Sequence, residues 1–172
     1  LNSTGHLEKQ TEYIKQKLSN TDAKWKIVTN HHSVFSPAEG RDFEYARKVW
    51  KPLFEKYGVD LVLNGHDHTY ARGHTPVKSQ NIDQSGSFKT LYVTSVSGPK
   101  QYKVDKEQIK NYEADGYKSD KLGEQTQFFQ VISVEKNKLI YSAYTTLGKL
   151  YDKAIITKDF STGDKIISNS VK

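Results

Sequence analysis

The sequence predicts an α/β fold in which one βαβ unit is continued by short, mainly antiparallel strands. Three observations predict it. Two compact apolar runs, Trp25-Lys26-Ile27-Val28-Thr29 and Val59-Asp60-Leu61-Val62-Leu63, flank a segment whose apolar residues step by threes and fours. After Gly73 the pattern changes to short alternating runs separated by turn residues. The 172 residues include no cysteine, so a core has to form without disulfide staples; a chain of this length can bury roughly 70% of its unfolded surface.

Taken in order, Leu7, Ile14 and Leu18, with Tyr13 beside them and Lys, Gln and Glu between, predict an amphipathic helix from Gly5 to Leu18 that ends at Ser19-Asn20-Thr21-Asp22. The first apolar run is short and rich in β-branched residues, as a strand requires. His31 to Arg41 then reads as a loop, with Ser36-Pro37 and Glu39-Gly40 as its turn signals. Asp42 is the expected N-cap of a second helix, whose stripe is Phe43, Ala46, Trp50, Leu53 or Phe54, and Tyr57. Pro52 inside it should kink or split the helix, and Gly58 suits the position just past its end. The second apolar run follows as a strand, so the two strands should be parallel with a right-handed crossover.

The runs Leu91 to Val96, Phe128 to Val134, Leu139 to Tyr144 and Ala154 to Thr157 read as four further strands, with Glu135-Lys136-Asn137-Lys138 as a hairpin connection. Lys100 to Gln127 reads as a long surface loop with room for one helical turn, and Ser168 to Lys172 are expected to fray. The chain is thus one unit, 1–172, with an α/β part over 1–73 and a mainly β part over 74–172.

Composition narrows the chemistry. The formal charge is 26 − 20 = +6, yet the basic residues are dispersed without a dense block, so a nucleic acid partner is not expected. No apolar run approaches the roughly 18 residues of a membrane span, and Leu1 to Leu18 hold no signal-peptide core. A chain that opens Leu1-Asn2-Ser3 and contains no methionine is expected to be a piece of something longer. Without cysteine, iron–sulfur clusters, thiolate zinc sites and cysteine nucleophiles are excluded, which leaves histidine and carboxylate chemistry.

Four of the six histidines fall in two clusters, His31-His32 and His66-Asp67-His68, each just past a predicted parallel strand. Ligands collect at the carboxyl ends of strands in open α/β sheets, so residues 35 apart in sequence are expected in one site. Converging imidazoles suit zinc, iron, manganese or copper. Gly65 is expected to make the sharp turn after Leu63. On an extended segment His66 and His68 would face opposite ways, but after a bend they could serve two adjacent ions, the arrangement that activates water in phosphoryl transfer.

At this point the residues resemble a known family. Val59 to Arg72, with Gly65-His66-Asp67-His68 at its centre, is similar to the Gly-His-x-His block of calcineurin-like metallophosphoesterases, and Tyr70 and Arg72 make it most similar to their purple acid phosphatase branch. Trp25 to His32 resembles the strand and metal-binding histidine that precede that block. The resemblance implies the C-terminal half of a four-layer αββα metallophosphoesterase sandwich. It also implies two divalent or trivalent ions, iron, zinc or manganese, with His31 and His66 on one and His68 on the other. His32, as a catalytic residue, could orient a ligand or contact the phosphate of the ester. Tyr70 and Arg72 would face the substrate. Each of these three has a plainer reading too: packing for His32, packing plus an ion pair for Tyr70 and Arg72.

Nothing before Trp25 matches the family's aspartate motif, its bridging aspartate or its Gly-Asn-His motif, so the N-terminal half of the parent domain is an expected partner. Ser33 stands where the family often has proline, and Ala71 where the branch usually has glutamate. Two divalent ions about 4 Å apart repel by on the order of 16 kcal/mol at an effective dielectric constant of about 20. Neutral imidazoles do not offset that, and Asp67, as the variable position of the block, is expected to point away. The chain alone should therefore bind one metal weakly or none, and should not catalyse. Within the parent, the implied reaction is hydrolysis of a phosphate ester by metal-activated water, in an extracytoplasmic setting. An isolated half sandwich should expose an apolar sheet face, so homodimerisation or partial disorder is expected unless a partner replaces the missing half.

Overall fold

The computed structural model describes residues 6–77 and 86–169. Helix α1 (Leu7–Ser19) leads to strand β1 (Ile27–Asn30). A π-helical stretch, Ala46–Trp50, runs into α2 (Lys51–Lys56), followed by β2 (Leu61–Asn64). Then come β3 (Tyr70–Pro76), β4 (Phe88–Thr94), the short α3 (Lys106–Asn111) and β5 (Lys118–Gly123). Four strands close the chain: β6 (Phe128–Glu135), β7 (Lys138–Thr145), β8 (Leu150–Lys158) and β9 (Lys165–Asn169).

The first sheet has the order β1-β2-β4-β3-β5, and the second is the meander β6-β7-β8-β9. β1, β2 and β4 are parallel, with Asn30 opposite Asn64 and Asn64 opposite Thr94, so the predicted βαβ unit is present. Between the sheets Leu61, Tyr70, Leu91 and Val93 meet Leu139, Tyr141, Ala154 and Ile156. On the other face of the first sheet Val62 and Tyr92 pack with Ile14, Trp50, Phe54 and Ile109. Helix, sheet and sheet are therefore stacked layers, as the predicted α/β sandwich requires.

Local chemistry accounts for most boundaries. Gly58 is left-handed at φ 66°, and the Val59 amide donates to the Phe54 carbonyl at 2.8 Å, the bond that closes a Schellman end. The helix is divided beside Pro52: the π-helical turn ends at Trp50 and α2 begins at Lys51, with the proline in its first turn. The missing amide and bulky ring of Pro52 are accommodated by the wider π-helical turn just before it. Asp42 is not the N-cap, because its carboxylate is taken by Arg47 and by the Tyr112 hydroxyl at 3.2 Å. The β6–β7 hairpin turns on Lys136 and Asn137, with Glu135 paired to Lys138.

Three strands lie where none was expected. β3 is buried almost throughout, so its sequence Tyr-Ala-Arg-Gly-His-Thr-Pro has no polar alternation to read. β5 is a polar edge strand inside the segment read as a loop, and β9 reaches Asn169 where fraying was expected from Ser168 on. Ser170 to Lys172 lie outside the described residues. Far from the histidines, the buried Asp60 carboxylate accepts from the Lys26 amide at 2.8 Å and from Lys158 Nζ at 2.8 and 3.0 Å, with Lys165 Nζ at 3.3 Å. Burial brings the Lys165 ammonium down to about 8 against the pull of Asp60.

Candidate metal centre

β1 and β2 end side by side on asparagines, and these two residues weld the loops that follow. Asn64 Nδ2 donates to Asn30 Oδ1 at 2.9 Å and to its carbonyl at 3.0 Å, while Asn30 Nδ2 donates to the His32 carbonyl at 2.6 Å. The Gly65 amide donates to the His31 carbonyl at 3.0 Å. Sequence reasoning passed over both asparagines, although the same residue at the end of each parallel strand was a readable signal.

The sharp turn is not made by Gly65. Its backbone is outside the left-handed region, and an added Cβ would meet His31 only at 3.9 Å. The left-handed residues are His66, at φ 68°, and His68, at φ 49°, a conformation uncommon for residues with a Cβ and frequent at working sites. Between them the Asp67 amide donates back to the Gly65 carbonyl at 2.8 Å. Asp67 does not point away. It is 1% exposed and lines the cleft with His32 and His66, and its Oδ2 has no hydrogen-bond partner. Burial raises its carboxyl above the ordinary range, against the opposing pull of the Ser33 and Ser36 hydroxyls.

His31, His32 and His66 offer ligand atoms that all lie within 4.8 Å of one another. The rings of His32 and His66 are 3.9 Å apart between centroids. Arg41 Nη1 meets His66 Nε2, and His66 Nδ1 lies 3.1 Å from His31 Nε2, so the three side chains form one connected group. Burial, with the nearby His32 and Arg41 opposing a further positive charge, pushes His66 down to about 4, and burial lowers His32 as well. Both are neutral at neutral pH, the state in which imidazole ligates. This donor set fits a metal ion.

His68 stands outside that group. Its Nδ1 donates to the Lys100 carbonyl at 3.0 Å, which leaves the lone pair on Nε2. Tyr70 and Arg72 do not reach the cleft, which corrects the expectation that they face substrate: they are 0% and 2% exposed and sit between the sheets. Tyr70 Oη donates to Asp152 Oδ2 at 2.7 Å, and Arg72 donates to both Asp152 oxygens at 2.7 and 2.9 Å and to Asp120 at 3.0 Å. Arg72 also donates to Asn169 Oδ1 at 3.0 Å, so its polar contacts lie within the fold.

Sequence reasoning also missed the wall of the site. The segment read as a surface loop brings the Tyr102 amide to the His68 carbonyl at 3.1 Å and the Tyr102 hydroxyl to Arg41 Nη2 at 3.2 Å. Gln108 Nε2 donates to the Ser36 and Arg41 carbonyls at 2.9 and 2.7 Å. The cleft so enclosed holds about 310 Å³. A larger hollow of about 510 Å³, beside Lys121 and Tyr151, contains none of the histidines.

Fold and site together define an α/β protein with an imidazole cluster at the carboxyl ends of parallel strands, suited to holding metal. Residues 2–70 match the calcineurin-like phosphoesterase family. Purple acid phosphatase 3 of Arabidopsis thaliana is 30% identical over 135 residues, which is 70% of this chain and 34% of that protein. Purple acid phosphatase 17 of the same plant is 36% identical over 55 residues, 32% of this chain and 16% of that protein. Among solved structures, the purple acid phosphatase PPD1 from yellow lupin (Lupinus luteus) seeds superimposes with a TM-score of 0.62 at 21% identity, over 90% of this chain and 29% of that one. The chain is a relative of the calcineurin-like phosphoesterases, of their purple acid phosphatase-like branch. It spans about a third or less of the length of these relatives.

Proposed function

We propose that this chain is the C-terminal portion of a metal-dependent phosphoesterase that hydrolyses phosphate esters at a dinuclear metal centre. The observation that carries the reading is the convergence of His31, His32 and His66, with ligand atoms within 4.8 Å of one another at the ends of β1 and β2. His31 and His66 would hold one ion, with His32 in reach of the same ion or of the ester. His68, its Nδ1 fixed by the Lys100 carbonyl, would present Nε2 to the second. Bound ions of this kind, iron, zinc or manganese, would polarise the ester and lower the pKa of a water.

The residues of this chain orient and enclose. The asparagine pair holds the two histidine loops at one spacing, and Asp67 and Phe43 shield the cleft. The three-imidazole group contains no carboxylate, and two neighbouring cations require one or more anionic ligands, so the fragment alone would be inactive. The same observation favours a second reading, a non-catalytic module that binds a single ion. The likeness to purple acid phosphatases is the sole support for an extracytoplasmic setting. No helix among the described residues is long and apolar enough to cross a membrane.

The test is elemental analysis of this chain and of its full-length parent, each paired with hydrolysis of a chromogenic phosphate ester. A parent with about two ions that turns over, beside a chain that does neither, is the expected result. A parent with one ion and no turnover supports the module. No metal in either protein ends both readings.

A further inference from the structure

The chain has three arginines, and two of them are paired with acids. Arg47 meets Asp42 and Asp115, and Arg72 meets Asp120 and Asp152. Arg41 has no ion pair among the described residues. It stands half-buried in the wall of the cleft beside the three histidines, a cluster that carries no negative charge of its own. Asp67 lies close enough to feel its field but forms no ion pair with it. A guanidinium presents five donors in a rigid fork matched to carboxylate and phosphate oxygens, and sequestering it without an anion is unfavourable.

Its position is built rather than incidental. One face lies on the Tyr102 ring, 4.7 Å from the centroid, and Nη2 donates to the Tyr102 hydroxyl at 3.2 Å. The backbone at Arg41 is held from the other side by Gln108 Nε2 at 2.7 Å, and its amide donates to the Ala38 carbonyl at 3.2 Å. The Glu39 amide donates to the Lys103 carbonyl at 3.1 Å, and the Asp105 amide to the Pro37 carbonyl at 2.9 Å, so the loop and the Tyr102 segment are one paired unit. Nη1 meets His66 Nε2, so the guanidinium stands directly against the histidine cluster.

We infer that Arg41, braced by Tyr102 and Gln108, is a substrate-binding residue whose guanidinium fork takes the phosphoryl oxygens of the ester and of the inorganic phosphate left after cleavage. This rests on the function proposed above and assigns within it a residue that neither histidine cluster contains. Tyr102 acts through Arg41 and is a positioning residue.

The experiment is inorganic phosphate binding to the full-length parent in its metal-loaded form, by calorimetry, with metal content measured on the same samples. Arg41→Gln should weaken phosphate by about tenfold or more, because it removes a charge-assisted pair of hydrogen bonds. KM for a chromogenic ester should rise more than kcat falls, and metal content should match the unaltered parent. Arg41→Lys, which keeps the charge and lacks the fork, should recover part of the loss and guards against a folding defect in the first variant. Tyr102→Phe should weaken phosphate by a smaller factor, with metal unchanged.

Phosphate affinity within twofold of the parent in both Arg41 variants, with metal intact, overturns the inference. So does metal loss in Arg41→Gln whose restoration returns full phosphate affinity, since Arg41 would then act on His66 alone. If the unaltered parent holds no metal, the proposed function fails first and takes this inference with it.

Discussion

Arg72 and Asp152 face each other between the sheets at 2.7 Å, with side chains 2% and 1% exposed. Burial alone would raise the Asp152 carboxyl, but the Arg72 bonds and charge hold it below the ordinary range. Asp152→Ala leaves the buried guanidinium with Asp120 as its one remaining acid among the described residues, so denaturant unfolding should show a loss of about 3 kcal/mol, part of it recovered when Arg72→Met is added. The sequence offered Arg72 as either a substrate contact or half of an ion pair, and could not decide. Its acid partners lie 48 and 80 residues further along the chain, and nothing local announces them. His66 makes the complementary case: its place past a strand was legible, but its titration was not. An ordinary histidine protonates near pH 6.5, and His66 resists until about 4 because burial, with the nearby His32 and Arg41, disfavours the proton. Between those values the unfolded chain takes up a proton that the folded chain refuses, so stability should fall as pH drops through that window. Unfolding curves at pH 7.5 and 4.5 should differ for the native chain and differ less for His66→Asn.

At the scale of the element, the βαβ unit and the second sheet's hairpin were legible because each carries its own period and its own stop signal. The Asp42 cap failed for the opposite reason, since a side chain that suits a cap also suits a nearby arginine. β3 and β5 escaped because neither alternates, and what pairs them is a close approach that only the fold reveals. At Gly73 an added Cβ would lie 2.4 Å from the Lys118 carbonyl oxygen and within 2.4 Å of the Tyr117 ring and hydroxyl. Gly73→Ala should therefore force the two strands apart and cost about 1–3 kcal/mol, with the loss concentrated in faster hydrogen exchange along β5. α3 is too short to be stable alone, yet it carries the Gln108 amide that holds the Arg41 loop. Gln108→Ala should leave the helices and sheets intact by circular dichroism, lower stability by about 1–2 kcal/mol, and raise KM in the full-length parent.

For the whole molecule, the two sheets differ in how they meet solvent. β6 is a free edge of the second sheet, and Phe129, Val131 and Val134 on it are 45%, 46% and 51% exposed. An edge strand that exposes apolar side chains in this way is a template for association. The isolated chain is expected to sediment as a dimer or larger species, and Val131→Lys to return it to monomer; a monomeric native chain at high concentration would remove the expectation. The exposed apolar sheet surface was foreseen from the idea of half a sandwich, whereas its location on β6 depended on strand order, which no single sequence displays.

Asp60 lies at the far end of the first sheet and gathers three other segments onto one carboxylate: the amide of Lys26 and the ammonium groups of Lys158 and Lys165. Tension applied to the two ends of the described chain would strip α1 from one side and peel β9 from the other. Both paths arrive at that same carboxylate, since Lys26 immediately precedes β1 and Lys165 begins β9. Neither end can be drawn out past it without breaking a bond to the carboxylate that the other end also uses. In a pulling experiment the protein should consequently give way in a single abrupt rupture, and Asp60→Asn should replace that rupture with two weaker, separate extensions.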